Sequence, residues 1–102
     1  FILTYHGEAG DYTEDEKAAI HERFAKWALA LDVPAGFDRV IPLSKKVSRS
    51  TPEGIEESLD PYIRGFTLFR AASFDEAVEI ASTCPFIEAE GQHVELYRLE
   101  GL

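Results

Sequence analysis

The side chains of this 102-residue chain best able to do chemistry are three histidines and two arginines. His6 closes an apolar run, Phe1-Ile2-Leu3-Thr4-Tyr5, and is followed by Gly7 and Glu8. The end of a strand borders a loop, where a side chain can reach a cavity, and a histidine there can act as a general base. The plain alternative is a strand-end histidine bonded to a neighbouring loop carbonyl. His21 lies on the margin of a helical apolar stripe, beside Ile20 and seven residues before Ala28. It either faces the cavity of His6 or borders solvent. His93 begins the last strand-like segment and alternates with Glu95 and Tyr97.

Arg64 and Arg70 share a strand face with Phe66 and Leu68. Guanidinium groups on a largely covered sheet need carboxylates or a bound anion. If cross-sheet or cross-interface acids do not pair with them, they favour an anionic small molecule, with Glu8 as a further polar contact. The expected site is therefore His6 or His21 for proton transfer and Arg64, Arg70 and Glu8 for ligand binding. Asp75, in the first turn of a helix, is explained by the helix dipole alone.

No metal-ligand spacing is recognisable, and His6, His21 and Glu8 could meet only in space. No glycine-rich phosphate loop and no nucleophile elbow is present, so no cofactor is expected. Cys84, the only cysteine, excludes an internal disulfide and fits a cytoplasmic location. It stands near a helix C-terminus, the wrong end of the dipole for an activated thiolate, which favours a buried structural role.

The formal charge of −9 repels phosphate backbones and anionic lipids, making nucleic acid and membrane surfaces poor partners. With 45% hydrophobic and 12% aromatic residues the chain is too apolar to stay disordered, and its length suits one domain. No apolar stretch approaches the roughly 20 residues that span a bilayer.

Two helix-start signatures position these residues. Thr13-Glu14-Asp15-Glu16 and Ser73-Phe74-Asp75-Glu76 each follow a strand-like run, and each offers a hydroxyl cap with a Glu three residues on. The pattern predicts a strand over 1–6, a helix from Glu14 to about Leu31 and a second strand over 37–47, bent near Pro42. A long polar connection then runs from Ser48 to Pro61. After it come an apolar strand over 62–71, a helix over 74–82 stopped by Cys84-Pro85, and a strand over 92–99. This βαββαβ order is the ferredoxin-like one, an α+β fold with a four-stranded antiparallel sheet and two helices on one face. Strand residues are apolar on both faces, so the face without helices needs cover. A second copy is the cheapest cover, which predicts a homodimer with a barrel-like core.

The run Phe69 to Pro85, above all Ala71-Ala72-Ser73-x-Asp75-Glu76-Ala77 to Cys84-Pro85, together with Gly91 to Leu99, resembles the YCII-related family in its DGPF branch. The opening Phe1 to Glu8 and the helix segment Phe24-Ala-Lys-Trp27 are similar to it too. The resemblance implies a dimeric α/β barrel of ferredoxin-like protomers. The Asp-Gly-Pro-Phe motif that names the branch is missing, and Val47 to Gly54 occupies its region, so a site shaped by that motif would be remodelled here. The wider family's proposed His–Asp pair puts its histidine on the first helix, where this chain has His21.

Three functional readings follow. The first is a His-dependent enzyme acting on a small anionic metabolite, and the second is a binding site for such a molecule without turnover. The third is an interaction or regulatory module whose role is dimerisation, in which Phe and Leu side chains fill the volume around His6.

Overall fold

The structure is a computed structural model and describes residues 1–100. Both expected caps form. Thr13 Oγ1 accepts the backbone N–H of Glu16 at 3.1 Å to open α1 (Glu14–Leu29). Ser73 Oγ accepts that of Glu76 at 3.1 Å to open α2 (Phe74–Ser82). The two glutamates then differ. Glu76 reaches back to the backbone N–H of Ala72 at 3.0 Å, whereas Glu16 takes the hydroxyl proton of Thr13 at 3.1 Å.

β1 (Ile2–His6) lies between β5 (Gly65–Leu68) and β6 (His93–Tyr97), and β2 (Ile41–Pro42) adds to the outer side of β5. All three pairings are antiparallel. The order β2-β5-β1-β6, with a helix after β1 and another after β5, is compatible with the ferredoxin-like plan. A 3₁₀ turn over Pro85–Glu88 follows α2.

Three expected elements differ, the first being the strand expected over 62–71, which is confined to Gly65–Leu68. The strand expected over 37–47 contracts to Ile41–Pro42, because Pro42 has no N–H to extend the ladder. The connection expected over 48–61 is ordered: β3 (Val47–Thr51) and β4 (Gly54–Ser58) form a separate two-stranded hairpin turning at Pro52-Glu53. Its strands read Val-Ser-Arg-Ser-Thr and Gly-Ile-Glu-Glu-Ser, so they lack the apolar alternation by which half-buried strands are recognised. They lack it because they bury nothing; every residue but Val47 is exposed.

The core lies between the helices and one sheet face. Leu3, Tyr5, Phe69, Ala77, Ala81 and Cys84 are buried there, with Phe24, Trp27 and Phe86 packed against them. Tyr5 keeps its hydroxyl by bonding Thr67 Oγ1 at 2.5 Å, and Thr67 donates onward to the Arg39 carbonyl at 2.6 Å. The Arg39 side chain returns to α1, where Nη1 donates to the carbonyls of Leu31 (2.5 Å) and Ala28 (3.1 Å). Ala28 also takes the backbone N–H of Leu31 at 3.1 Å, and the arginine adds a charged donor there while serving Leu31, two residues past α1.

Because strand side chains alternate, Ile2, Thr4 and His6 point away from the helices. Register sets Phe66 beside Thr4 and Leu68 beside Ile2 on one flank, and His93, Glu95 and Tyr97 beside His6, Thr4 and Ile2 on the other. This second face carries the polar cluster described next.

Candidate functional site on the open face of the sheet

The cluster begins with a backbone approach. Gly7, just after His6, has φ +87°, and a Cβ there would stand 2.0 Å from the carbonyl oxygen of Gly91. Only glycine tolerates that conformation and that contact together. The approach joins the end of β1 to the start of β6 and sets His6 opposite His93. Their rings stack with centroids 4.6 Å apart and 9° between planes.

His6 is 2% exposed, buried beneath Tyr62, whose ring centroid lies 4.4 Å away. His6 Nδ1 stands 2.6 Å from the Tyr62 carbonyl oxygen. A carbonyl can only accept, so Nδ1 carries a proton and Nε2 is the nitrogen free to act. Nε2 lies 2.7 Å from Thr4 Oγ1 and 3.8 Å from Glu95 Oε2.

Glu95 gathers the rest. Its Oε2 accepts from the Tyr62 hydroxyl and lies 3.1 Å from His93 Nε2, and its Oε1 accepts from the Tyr97 hydroxyl at 2.5 Å. These bonds, that from Tyr62 foremost and then those from Tyr97 and His93, hold the Glu95 carboxyl down at about 2. The same bonds raise both phenols above their usual range, since each would lose its acceptor's favour on ionising beside an anion. One potential ligand atom each from His6, His93 and Glu95 lies within 4.8 Å of the other two, so this trio is the arrangement able to hold a metal ion among the described residues.

Arg64 stands at the same end of the sheet, since its backbone N–H donates to the Tyr5 carbonyl at 2.7 Å. Its side chain is 18% exposed. Nη2 lies 3.1 Å from Glu8 Oε1 and 4.0 Å from Asp60 Oδ1, while Nε and Nη1 are buried with no hydrogen-bond partner among the described residues. A buried donor left unpaired costs about 1–3 kcal/mol, and more when charged. Glu8 is shared with Lys45 Nζ at 3.5 Å. A cavity of about 500 Å³ borders Tyr62 on the hairpin side and has Lys46 and Arg49 in its wall.

The remaining expected residues lie elsewhere. Arg70 is exposed and pairs with Asp32 at 3.4 Å. His21 lines a cavity of about 530 Å³ between α1 and the 3₁₀ turn, together with Tyr12, Lys17, Phe24 and Phe86. Phe24 and Phe86 both pack on Tyr5, which faces the helices, so His21 and His6 lie on opposite faces of the sheet. The His21 cavity is walled mainly by apolar side chains and gathers no polar set comparable with that around Glu95.

Glu95 and Tyr62 were not singled out from the sequence. The spacing His93-x-Glu95-x-Tyr97 does put three polar side chains on one strand face. What joins them to His6 is the β1–β6 register, which no local pattern encodes. Cys84 is buried as expected, and burial pushes its thiol up to about 11. Among the described residues no helix is long and apolar enough to cross a membrane. The chain matches no known family by sequence profile, no curated protein and no solved structure.

Proposed function

We propose that the chain is a YCII-related protein that works as a homodimeric α/β barrel and binds a small anionic metabolite on the open sheet face. The observation that carries this reading is Arg64. Its guanidinium is mostly buried, is engaged by Glu8 through Nη2 alone, and keeps two donor nitrogens, Nε and Nη1, without partners among the described residues at the end of the sheet that holds His6. A carboxylate or phosphate oxygen satisfies such donors with charge-assisted bonds, and a neutral ligand does so less well.

Three measures of shape support the second copy. A monomer of 11.4 kDa is expected to expose about 5,800 Å², and the chain exposes 7208 Å². That excess of roughly 1,400 Å² is larger than the roughly 800 Å² each partner gives to a standard interface. The radius of gyration is 15.1 Å, against about 13 Å for a compact chain of 100 residues. The β3–β4 hairpin stands off the body and leaves Ile55 and the following Leu59 73% and 74% exposed. An isolated two-stranded hairpin is marginal in water, so one that clasps a second copy gains the packing it lacks.

The reading is tested by calorimetric titration of the protein with inorganic phosphate, oxalate, malonate and 2-oxoglutarate, with neutral amides as controls. At least one anion binds, and Arg64→Gln weakens it tenfold or more, as expected for loss of a charge-assisted pair worth about 1.5–3 kcal/mol. Sedimentation at micromolar protein gives a dimer. Anion affinity unaltered by Arg64→Gln, or a stable monomer, overturns the corresponding half of the proposal.

A further inference from the structure

We infer that His6, His93 and Glu95 form a binding site for a divalent first-row transition ion on the open face. The inference deepens the anion reading, because Arg64 stands at the same end of the sheet and an ion with open coordination positions would add a second partner for an anion. The ligand set itself stands independently of that reading.

The first argument is geometric. Ligand atoms about 2.0–2.2 Å from one ion are about 2.8–3.6 Å from their neighbours in octahedral or tetrahedral order. His93 Nε2 and His6 Nε2 already lie 3.1 and 3.8 Å from Glu95 Oε2, and all three ligand atoms fall within 4.8 Å. Closing the widest gap requires movement of about 1 Å together with a turn of the His93 ring out of its stack on His6, because an ion lies in the plane of each imidazole that holds it. His93 is more than half exposed and Glu95 is partly so; these are the side chains with room to move, while His6 is fixed.

The second argument is the state of His6. A metal-binding imidazole donates its other N–H to a carbonyl or carboxylate, which fixes the tautomer and aims the ring. The Tyr62 carbonyl occupies that position at 2.6 Å from Nδ1. The partner on Nε2, the Thr4 hydroxyl, has another acceptor in reach, the Glu95 carbonyl at 3.3 Å. Nε2 can therefore be released to an ion while the hydroxyl keeps a hydrogen bond.

The third argument is accounting at the carboxylate. Two oxygens offer about four acceptor positions, and Glu95 receives Tyr62, Tyr97 and His93. An ion takes over the position of His93, and the two phenols remain as supports that orient the carboxylate, the arrangement outer partners have around metal ligands. Two imidazoles with one carboxylate suit zinc, cobalt, iron(II) or manganese, and calcium or magnesium prefer oxygen alone. The net charge of −9 draws cations toward the molecule.

The test uses the full chain, stripped with EDTA and held in chloride buffer without other anions. Cobalt(II) is followed by its visible d–d absorption, and zinc(II) by calorimetry. The expected result is one ion per chain with micromolar or tighter affinity, weakened at least tenfold by His93→Gln and by Glu95→Gln. Both positions retain solvent exposure, so these variants should fold, with circular dichroism as the check. Glu53→Gln at the hairpin tip serves as the control and binds as the parent does. No cobalt spectrum and no zinc heat at millimolar ion, or equal affinity in parent and His93→Gln, overturns the inference. Anion titration of the EDTA-treated protein and of Arg64→Gln reads the other proposal separately, so either can fail without the other.

Discussion

The Tyr62 carbonyl oxygen lies 2.6 Å from His6 Nδ1, and this one contact decides which nitrogen of the ring faces Glu95. In its neutral form His6 must be the Nδ1–H tautomer, with the Nε2 lone pair accepting from Thr4. Long-range ¹⁵N–¹H spectra should therefore show His6 protonated at Nδ1 when neutral. Tyr62→Phe should leave that signal in place, since the carbonyl belongs to the backbone. A neutral His6 protonated at Nε2 would contradict the arrangement.

Thr67 links Tyr5 to Arg39 inside the core. Thr67→Val keeps the shape but leaves the Tyr5 hydroxyl and the Arg39 carbonyl without their partner. The expected cost is about 2 kcal/mol, a fall of roughly 10 °C in the melting temperature of a domain this size. Adding Tyr5→Phe should cost less than the two single losses together, because the hydroxyl is already unpaired.

Gly7 combines a positive φ with a backbone contact that leaves no room for a Cβ. Gly7→Ala should lose at least about 2 kcal/mol, from αL strain together with the clash on Gly91. Gly36→Ala provides the comparison: φ is +89° there, but a Cβ meets nothing within 4 Å. It should lose only the strain, and thermal melts of the two variants separate the contributions.

Burial raises the Cys84 thiol to about 11 and shifts the Tyr5 phenol upward as well. Groups whose folded value exceeds the unfolded one stabilise the fold fully below the unfolded value, and that contribution disappears as pH rises through the folded value. Urea unfolding followed by the single Trp27 should give constant stability from these groups up to about pH 8 and a decline beyond it, begun by Cys84. Cys84→Ala should show a shallower decline. In the folded protein at pH 8 the thiol should react with a disulfide reagent far more slowly than after unfolding, being both protonated and covered.

The sequence makes plain what depends on local chemistry. Thr13 and Ser73 cap their helices as their spacing requires, Pro42 cuts its strand short, and Cys84-Pro85 ends α2. The hairpin escaped because strands that bury nothing carry no alternation. Arg39 at the end of α1 escaped because the donor comes from eight and eleven residues along the chain, outside the last turn. The candidate site was legible in part. His6 was marked by its strand-end position and Arg64 by its charge among apolar neighbours. Pairing β1 with β6 is what makes His93 and Glu95 partners of His6, and pairing is a property of the whole sheet. Alternation along β1, with Tyr5 turned to Phe24 and Phe86, puts His6 and His21 on opposite faces of the sheet, which the helical stripe alone leaves open.

The measurement closest to the centre of this account is a map of the resonances that move when oxalate, malonate, 2-oxoglutarate or inorganic phosphate is added to the labelled protein. The open face predicts shifts at the Arg64 Nε–H, the His6 ring and the Glu95 amide, with His21 and Phe86 unmoved. Shifts gathered around His21 and Phe86, or an open face that responds to none of the four anions, would contradict it.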